Sequence, residues 1–180
     1  ALKLLVNLER QIRLADQLSK ESLTALVPAA SPGRTDLVAV CREIAEDWQR
    51  IFTRHQQSFS FQLPDHAVWV DGEPGQHHQV LGNLLSNAQK YTPRGGSIRM
   101  SVTMHPEHCL LEVSDSGRGI TPLVRRRLFE ATVREHPAIE GHGVGLTNVQ
   151  AILKSLGGSI SVTSRPGQGS SFQVRLRTRC

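Results

Sequence analysis

The sequence predicts a two-layer α/β (α+β) sandwich: a mixed, mostly antiparallel sheet backed by helices on one face, with one further helix at the N-terminus. Three observations carry this expectation. Strand-like runs come in two pairs joined by short turns, Ser97–Met104 with Leu110–Ser114 and Ser159–Ser164 with Ser171–Arg177. Apolar residues at three-and-four spacing mark helices before and between those pairs. The chain has 180 residues, 38% hydrophobic and 21% charged, which suits one buried core and excludes a disordered polyelectrolyte.

The first element is a helix from Leu2 to about Leu26, with Leu5, Leu8, Ile12 and Ala15 on one stripe. Pro28 and Ser31-Pro32-Gly33 end it, so residues 1–30 are expected to be separate from a domain over residues 31–180. A second helix is predicted over about residues 38 to 56, with Leu37, Val38, Val40, Ile44, Trp48 and Ile51 on its apolar side. Phe59, Phe61 and Leu63 alternate as a strand, and Ala67 to Val70 form another. An apolar helix follows from about Gly75 to Tyr91, closed by Thr92-Pro93 and Gly95-Gly96. Beyond the first strand pair, whose turn is His105 to His108, lies a glycine- and charge-rich stretch from Gly117 to Gly145 with a short helix near 122 to 129. A helix from about Val144 to Leu156 leads into the last pair, which turns across Pro166-Gly167-Gln168-Gly169. Cys41, Trp48 and Trp69 are expected in or near the core.

Composition narrows the function. The formal net charge is +5, yet aromatic residues are only 4% of the chain, so Arg125-Arg126-Arg127 and the alternating Arg175, Arg177 and Arg179 read as solvated faces and nucleic acid is not the expected partner. Cys41, Cys109 and Cys180 are odd in number and have no CxxC spacing, which argues against a disulfide framework or zinc ribbon. His105 and His108 beside Cys109 lack a fourth ligand and are read as chance neighbours in a turn. No apolar run approaches the roughly 20 residues of a membrane span, and no leader opens the chain, so a cytoplasmic compartment is expected.

Three motifs carry chemistry. On a helix, Asn83, Asn87, Lys90 and Tyr91 share one face, while Leu81, Leu84, Leu85 and Ala88 share the other. Amide carbonyls are hard neutral oxygens suited to a magnesium ion already held by phosphate, and a lysine one turn on can meet the same phosphates. Asp115-Ser116-Gly117-Arg118-Gly119-Ile120 follows a strand, so a carboxylate at the strand end can accept from a ring amino group within a tight glycine turn. Gly141-His142-Gly143-Val144-Gly145-Leu146 opens a helix, where backbone N–H groups and the helix dipole favour an anion.

In this order and spacing, the three motifs resemble the N, G1 and G2 boxes of the GHKL superfamily with its Bergerat ATP-binding fold. They are most similar to the catalytic domain of bacterial sensor histidine kinases. Leu128-Phe129-Glu130 resembles the F box, Arg134 an arginine of the ATP lid, and Gly167-Gln168-Gly169-Ser170 the terminal GxGT element. The resemblance covers about Asp36 to Arg177. It implies Mg-ATP as ligand, with Asn87 on Mg²⁺, Asn83 beside it, Lys90 on the phosphates and Tyr91 near the ribose or adenine. Asp115 would accept from the adenine amino group, with Gly117, Gly119 and Ile120 forming that wall. Residues 120 to 140 would be the lid, and Gly141, His142, Gly143, Val144, Gly145, Leu146 and Ser170 would complete the nucleotide site.

The implied activity is that of a protein-histidine kinase, in which Asn83, Asn87 and Lys90 carry transfer of the γ-phosphoryl group of ATP to histidine. None of the eight histidines has the acidic neighbour and downstream proline of the family's acceptor, so the acceptor is expected outside this chain. Residues 1–30 resemble the end of the family's dimerisation hairpin, which implies a homodimer, a histidine-bearing domain of the same protein and a response regulator downstream. The intact protein can be membrane-anchored. The alternatives are a degenerate domain acting as scaffold or nucleotide sensor, a GHKL serine kinase, and a hydrolytic GHKL ATPase. Hydrolysis is disfavoured because Asn83 stands where those ATPases carry a general-base Glu, and an amide cannot take a proton from water.

Overall fold

A computed structural model describes residues 33–126, 128 and 145–178. The expected first helix and the boundary near residue 31 lie outside the described residues, as do Phe129, Glu130, Arg134, the lid from 131 to 140, and residues 141–144. The elements are β1 (Arg34–Asp36), α1 (Leu37–Arg54), β2 (Ser58–Gln62), β3 (Trp69–Asp71), α2 (Pro74–Tyr91), β4 (Ser97–Met104), β5 (His108–Asp115), α3 (Pro122–Arg126), α4 (Gly145–Ser155), β6 (Ser159–Ser164) and β7 (Ser170–Arg177).

Five strands form the main sheet in the order β2-β4-β5-β7-β6. Only β2 runs parallel to its neighbour, Phe59 lying beside Ile98, and every other pairing is antiparallel. Strict alternation decides the faces. Ile98, Met100 and Val102 of β4, Cys109, Leu111 and Val113 of β5, and Phe172, Val174 and Leu176 of β7 are buried in one core with α1, α2 and α4. Their sequence neighbours, among them Arg99, Thr103, Arg175 and Arg177, are exposed on the other face. The expected sandwich is therefore the observed one.

Two helix starts fix the layer. The Asp36 carboxylate caps α1 by accepting from the Val38 N–H at 3.0 Å, and the same oxygen accepts from the Val68 N–H at 3.1 Å, tying the helix to the approach of β3. Pro74 opens α2, where its missing N–H costs nothing, and the Glu73 N–H donates to Gln76 Oε1 at 2.9 Å. Leu81, Leu84 and Leu85 of α2 are fully buried, each worth roughly 1.5–3 kcal/mol of removed apolar surface.

The structure corrects several local expectations. A strand, β1, precedes α1 and forms a short antiparallel ribbon with β3, Thr35 lying opposite Val70; at three residues it is too short to show a period in sequence. Trp69 is not a core residue: it is 45% exposed on this ribbon, with the Arg34 guanidinium 5.7 Å over its ring. Strand β5 begins at His108, because the His105 N–H donates to the His108 carbonyl and closes a tighter turn. The His105 and His108 rings stack there with centroids 4.6 Å apart. Cys41 and Cys109 are buried, and burial pushes their thiols up to about 12 and about 11, so both are inert packing groups. Among the described residues, no helix is long and apolar enough to cross a membrane.

Candidate functional site

The site is assembled where the end of α2, the turn after β5 and the β6–β7 turn meet. Buried leucines anchor one side of α2, so its opposite face presents Asn83 and Asn87, both half-buried, then exposed Lys90 and Tyr91. The Asn83 Nδ2 donates to the Gln79 carbonyl at 2.8 Å. That bond fixes the amide so that its Oδ1 faces the first residue of α4: a Cβ on Gly145 would lie 2.8 Å from it. Asn83 and the start of α4 are thus in contact across the site. Leu146 packs against the core and aims the N-terminus of α4. Gly141, His142, Gly143 and Val144, the remainder of the expected phosphate loop, lie outside the described residues.

Asp115 ends β5 opposite Ser170 of β7. The Gly117 N–H donates to its Oδ1 at 2.8 Å, and the Ser170 N–H donates to the carboxylate as well. Burial nevertheless holds the carboxyl above its usual range, because the two amides offset only part of the lost solvation. Gly117 is required by close approach, since any Cβ there would overlap the Tyr91 carbonyl oxygen. Gly119 packs on the Arg165 carbonyl, and the Ile120 N–H donates to Ser164 Oγ at 2.8 Å. Ser170 is buried, its hydroxyl 3.0 Å from that of Ser164.

Between these parts opens a cleft of about 480 Å³. Lys90 and Tyr91 line it from the end of α2 and Thr92 and Pro93 from the segment that follows; Ser116, Gly117 and Arg118 line it from the turn after β5, and Gly167 from the β6–β7 turn. Asp115, Asn83 and Asn87 border the same elements without lining the open cleft. The sequence reading did not assign a site role to Arg118, whose guanidinium lies 4.7 Å from the centre of the Tyr91 ring. Its position between Gly117 and Gly119, in a turn too tight to bury a long side chain, is the signal that could have found it.

A helix-backed sheet in which the start of α4 meets Asn83 of α2 and a carboxylate ends the central strand has the layout of a nucleotide-binding domain of the sandwich class. Residues 72–179 match the family described as histidine kinase-, DNA gyrase B- and HSP90-like ATPases, and the chain belongs to that family. The adaptive-response sensory kinase SasA of Thermosynechococcus vestitus is 40% identical over 144 residues, 78% of this chain and 38% of that protein. The mycobacterial sensor histidine kinase MprB superposes with a TM-score of 0.70 at 26% identity, over 82% of this chain and 98% of that one. Full-length ShkA, solved in complex with AMPPNP, superposes with a TM-score of 0.74 at 25% identity, over 88% of this chain and 34% of that one. The chain therefore spans well under half the length of SasA and is an ATP-binding domain of the sensor histidine kinase class.

Proposed function

We propose that this domain binds Mg-ATP in the cleft and delivers its γ-phosphoryl group to a histidine on the dimerisation domain of the same protein. The observation that carries the reading is the meeting of the Asn83 amide with the first residue of α4, on the same helix α2 whose C-terminal end lines the cleft together with the turn that follows Asp115. Asp115 accepts from the adenine amino group, and Gly117, Gly119 and Ile120 shape the wall beside it. Tyr91 packs against the base or ribose, and Ser170 supports the carboxylate from behind. Lys90 and the N–H groups opening α4, Gly145 and Leu146 among them, hold phosphate oxygens, with Gly141, His142, Gly143 and Val144 completing that loop.

The donor set suits a magnesium ion. Asn83 keeps its amide nitrogen on the helix backbone and turns its oxygen toward the site, and Asn87 lies one turn further along the same face. When bound, such an ion neutralises charge on the transferring phosphate. The acceptor nitrogen attacks the γ-phosphorus, the bond to the β-phosphate oxygen breaks, and ADP leaves with both electrons of that bond. The chain's own contribution is to orient the nucleotide, balance its charge and supply no general base at Asn83, which favours transfer over hydrolysis. Residues 1–30 are then the C-terminal part of the dimerisation hairpin, helix plus linker, in a homodimeric, cytoplasmic kinase module that serves a response regulator.

Titration of the purified chain with a fluorescent ATP analogue, with and without Mg²⁺ and competed by ATP and GTP, tests the pocket. Adding a separate hairpin that carries the acceptor histidine, together with γ-labelled ATP, tests the transfer. Magnesium-dependent, adenine-selective binding with acid-labile label on the hairpin is expected. Binding without transfer supports a nucleotide sensor instead, and absence of binding supports a scaffold.

A further inference from the structure

We infer that Arg118 is a positioning residue for the nucleotide base: its guanidinium braces the Tyr91 ring as a fixed wall of the cleft, so that it sets affinity for the base and not for the phosphates. The inference rests on the adenine reading of the cleft above. Three observations carry it. The guanidinium carbon lies 4.7 Å from the Tyr91 ring centroid, inside the roughly 6 Å reach of a cation–π contact. The main chain of Arg118 is held at both ends, its N–H donating to the Tyr91 carbonyl at 3.3 Å and its own carbonyl accepting from the Gly167 N–H at 2.7 Å. Gly117 packs on that same Tyr91 carbonyl without room for a Cβ. The side chain of Arg118 therefore leaves from a fixed point directly beside the ring it covers.

Tyr91 is the last residue of α2 and 38% exposed, a position where an unbraced ring samples several rotamers. With the guanidinium on one face, the ring is held in one of them and its remaining surface is offered to the cleft. The rotamer entropy is then lost on folding and not on binding, which raises affinity through preorganisation. A guanidinium that instead reached for phosphate would make its largest difference with ATP and none with adenosine. These two roles separate cleanly by ligand.

The test measures adenosine and ATP affinity, by competition against a fluorescent ATP analogue, for the unaltered chain, Arg118→Leu, Arg118→Lys and Tyr91→Leu, and for Arg118→Leu in the Tyr91→Leu and Tyr91→Phe backgrounds. Arg118→Leu is expected to weaken adenosine and ATP by the same factor, about three- to tenfold, the range expected when one side chain has to be immobilised on binding instead of on folding. Arg118→Lys should recover part of the loss. Tyr91→Leu should erase the further effect of Arg118→Leu, while Tyr91→Phe should preserve it. Tyr91 is the sole tyrosine, so its ring resonances report directly on the brace, and they should shift in Arg118→Leu without ligand. A loss with ATP but not with adenosine, or an equal loss in both Tyr91 backgrounds, overturns the inference. If the unaltered chain binds neither ligand, the adenine reading itself fails, a result distinct from any difference among variants.

Discussion

Gly169 packs against the main chain of Asp115 so closely that a Cβ on it would overlap the Asp115 carbonyl oxygen. Its φ of +85° is also one that side-chain-bearing residues rarely adopt. The terminal glycine element thus acts on the candidate site from behind: it lets β7 close on the main chain of the residue that carries the strand-end carboxylate.

Gly169→Ala is therefore expected to cost at least about 2 kcal/mol, combining left-handed strain with backbone overlap. For a domain of this size that lowers the melting temperature by about 4–8 °C. Gly167 supplies the internal control. Its φ is also positive, at +76°, but nothing lies within 4 Å of a Cβ there, so Gly167→Ala should lose only the backbone part. Equal melting temperatures for the two variants would show that contact with Asp115 is not what demands glycine.

Asp115→Asn should lower ATP affinity by about tenfold or more, through an unpaired buried donor. The side chain cannot simply rotate to compensate. Its Oδ1 accepts from the Gly117 N–H, so the new amide nitrogen is turned toward the base, donor facing donor. Competition titrations with ATP and GTP check this. Discrimination between the two nucleotides should shrink in the variant, and undiminished adenine preference would remove Asp115 from the recognition role.

The layers of the fold were legible because they follow from periodicity. Leu81, Leu84, Leu85 and Ala88 fall on one side of α2 in sequence and are buried in the structure, and the strand pairs around their turns lie within a few residues of expectation. What was not legible depends on distant partners. Strand β1 exists only because β3 returns to it and because Gly33 accepts from the Gly72 N–H at 2.7 Å. Trp69 reads as core by residue type, but its ribbon projects it beside Arg34. At the site, motif order singled out Asn83, Asp115 and Ser170 as candidates, whereas the approach of the Arg118 guanidinium to the Tyr91 ring joins the end of α2 to the turn after β5, which no local pattern connects.

Asn87→Asp tests the metal assignment. Placing a carboxylate among phosphate oxygens adds like-charge repulsion that reaches about 4 kcal/mol at 4 Å for an effective dielectric near 20. Only part of it would be offset by stronger attraction to a cation. ATP affinity is expected to fall by about tenfold or more in the presence of Mg²⁺, while adenosine affinity stays unchanged. Titration of both ligands with and without Mg²⁺ distinguishes this from misfolding, which would weaken adenosine as well. Unchanged ATP affinity would remove Asn87 from the metal site.

His77 makes the domain's stability depend on pH. The residue is 1% exposed at the start of α2, and its Nε2–H donates to the Asp71 carbonyl at 2.9 Å. Burial lowers its pKa below the ordinary histidine value of 6.5; the Asp71 carbonyl opposes this, and neighbouring His78 adds to the lowering. The sign follows from proton counting. Below pH 6.5 the unfolded chain binds a proton at His77 that the folded chain refuses, so the contribution present above 6.5 is lost as pH falls toward the folded-state value. For one proton the slope approaches about 1.4 kcal/mol per pH unit. His77→Gln keeps an N–H to offer the Asp71 carbonyl and removes the titration. Its denaturant midpoint should start lower at pH 8 and decline less between pH 7 and 5 than that of the unaltered chain. Parallel declines would place the acid sensitivity elsewhere. Because α2 also carries Asn83, Asn87, Lys90 and Tyr91, nucleotide affinity should weaken over the same pH interval only as far as the helix start loosens, and His77→Gln should flatten both curves together.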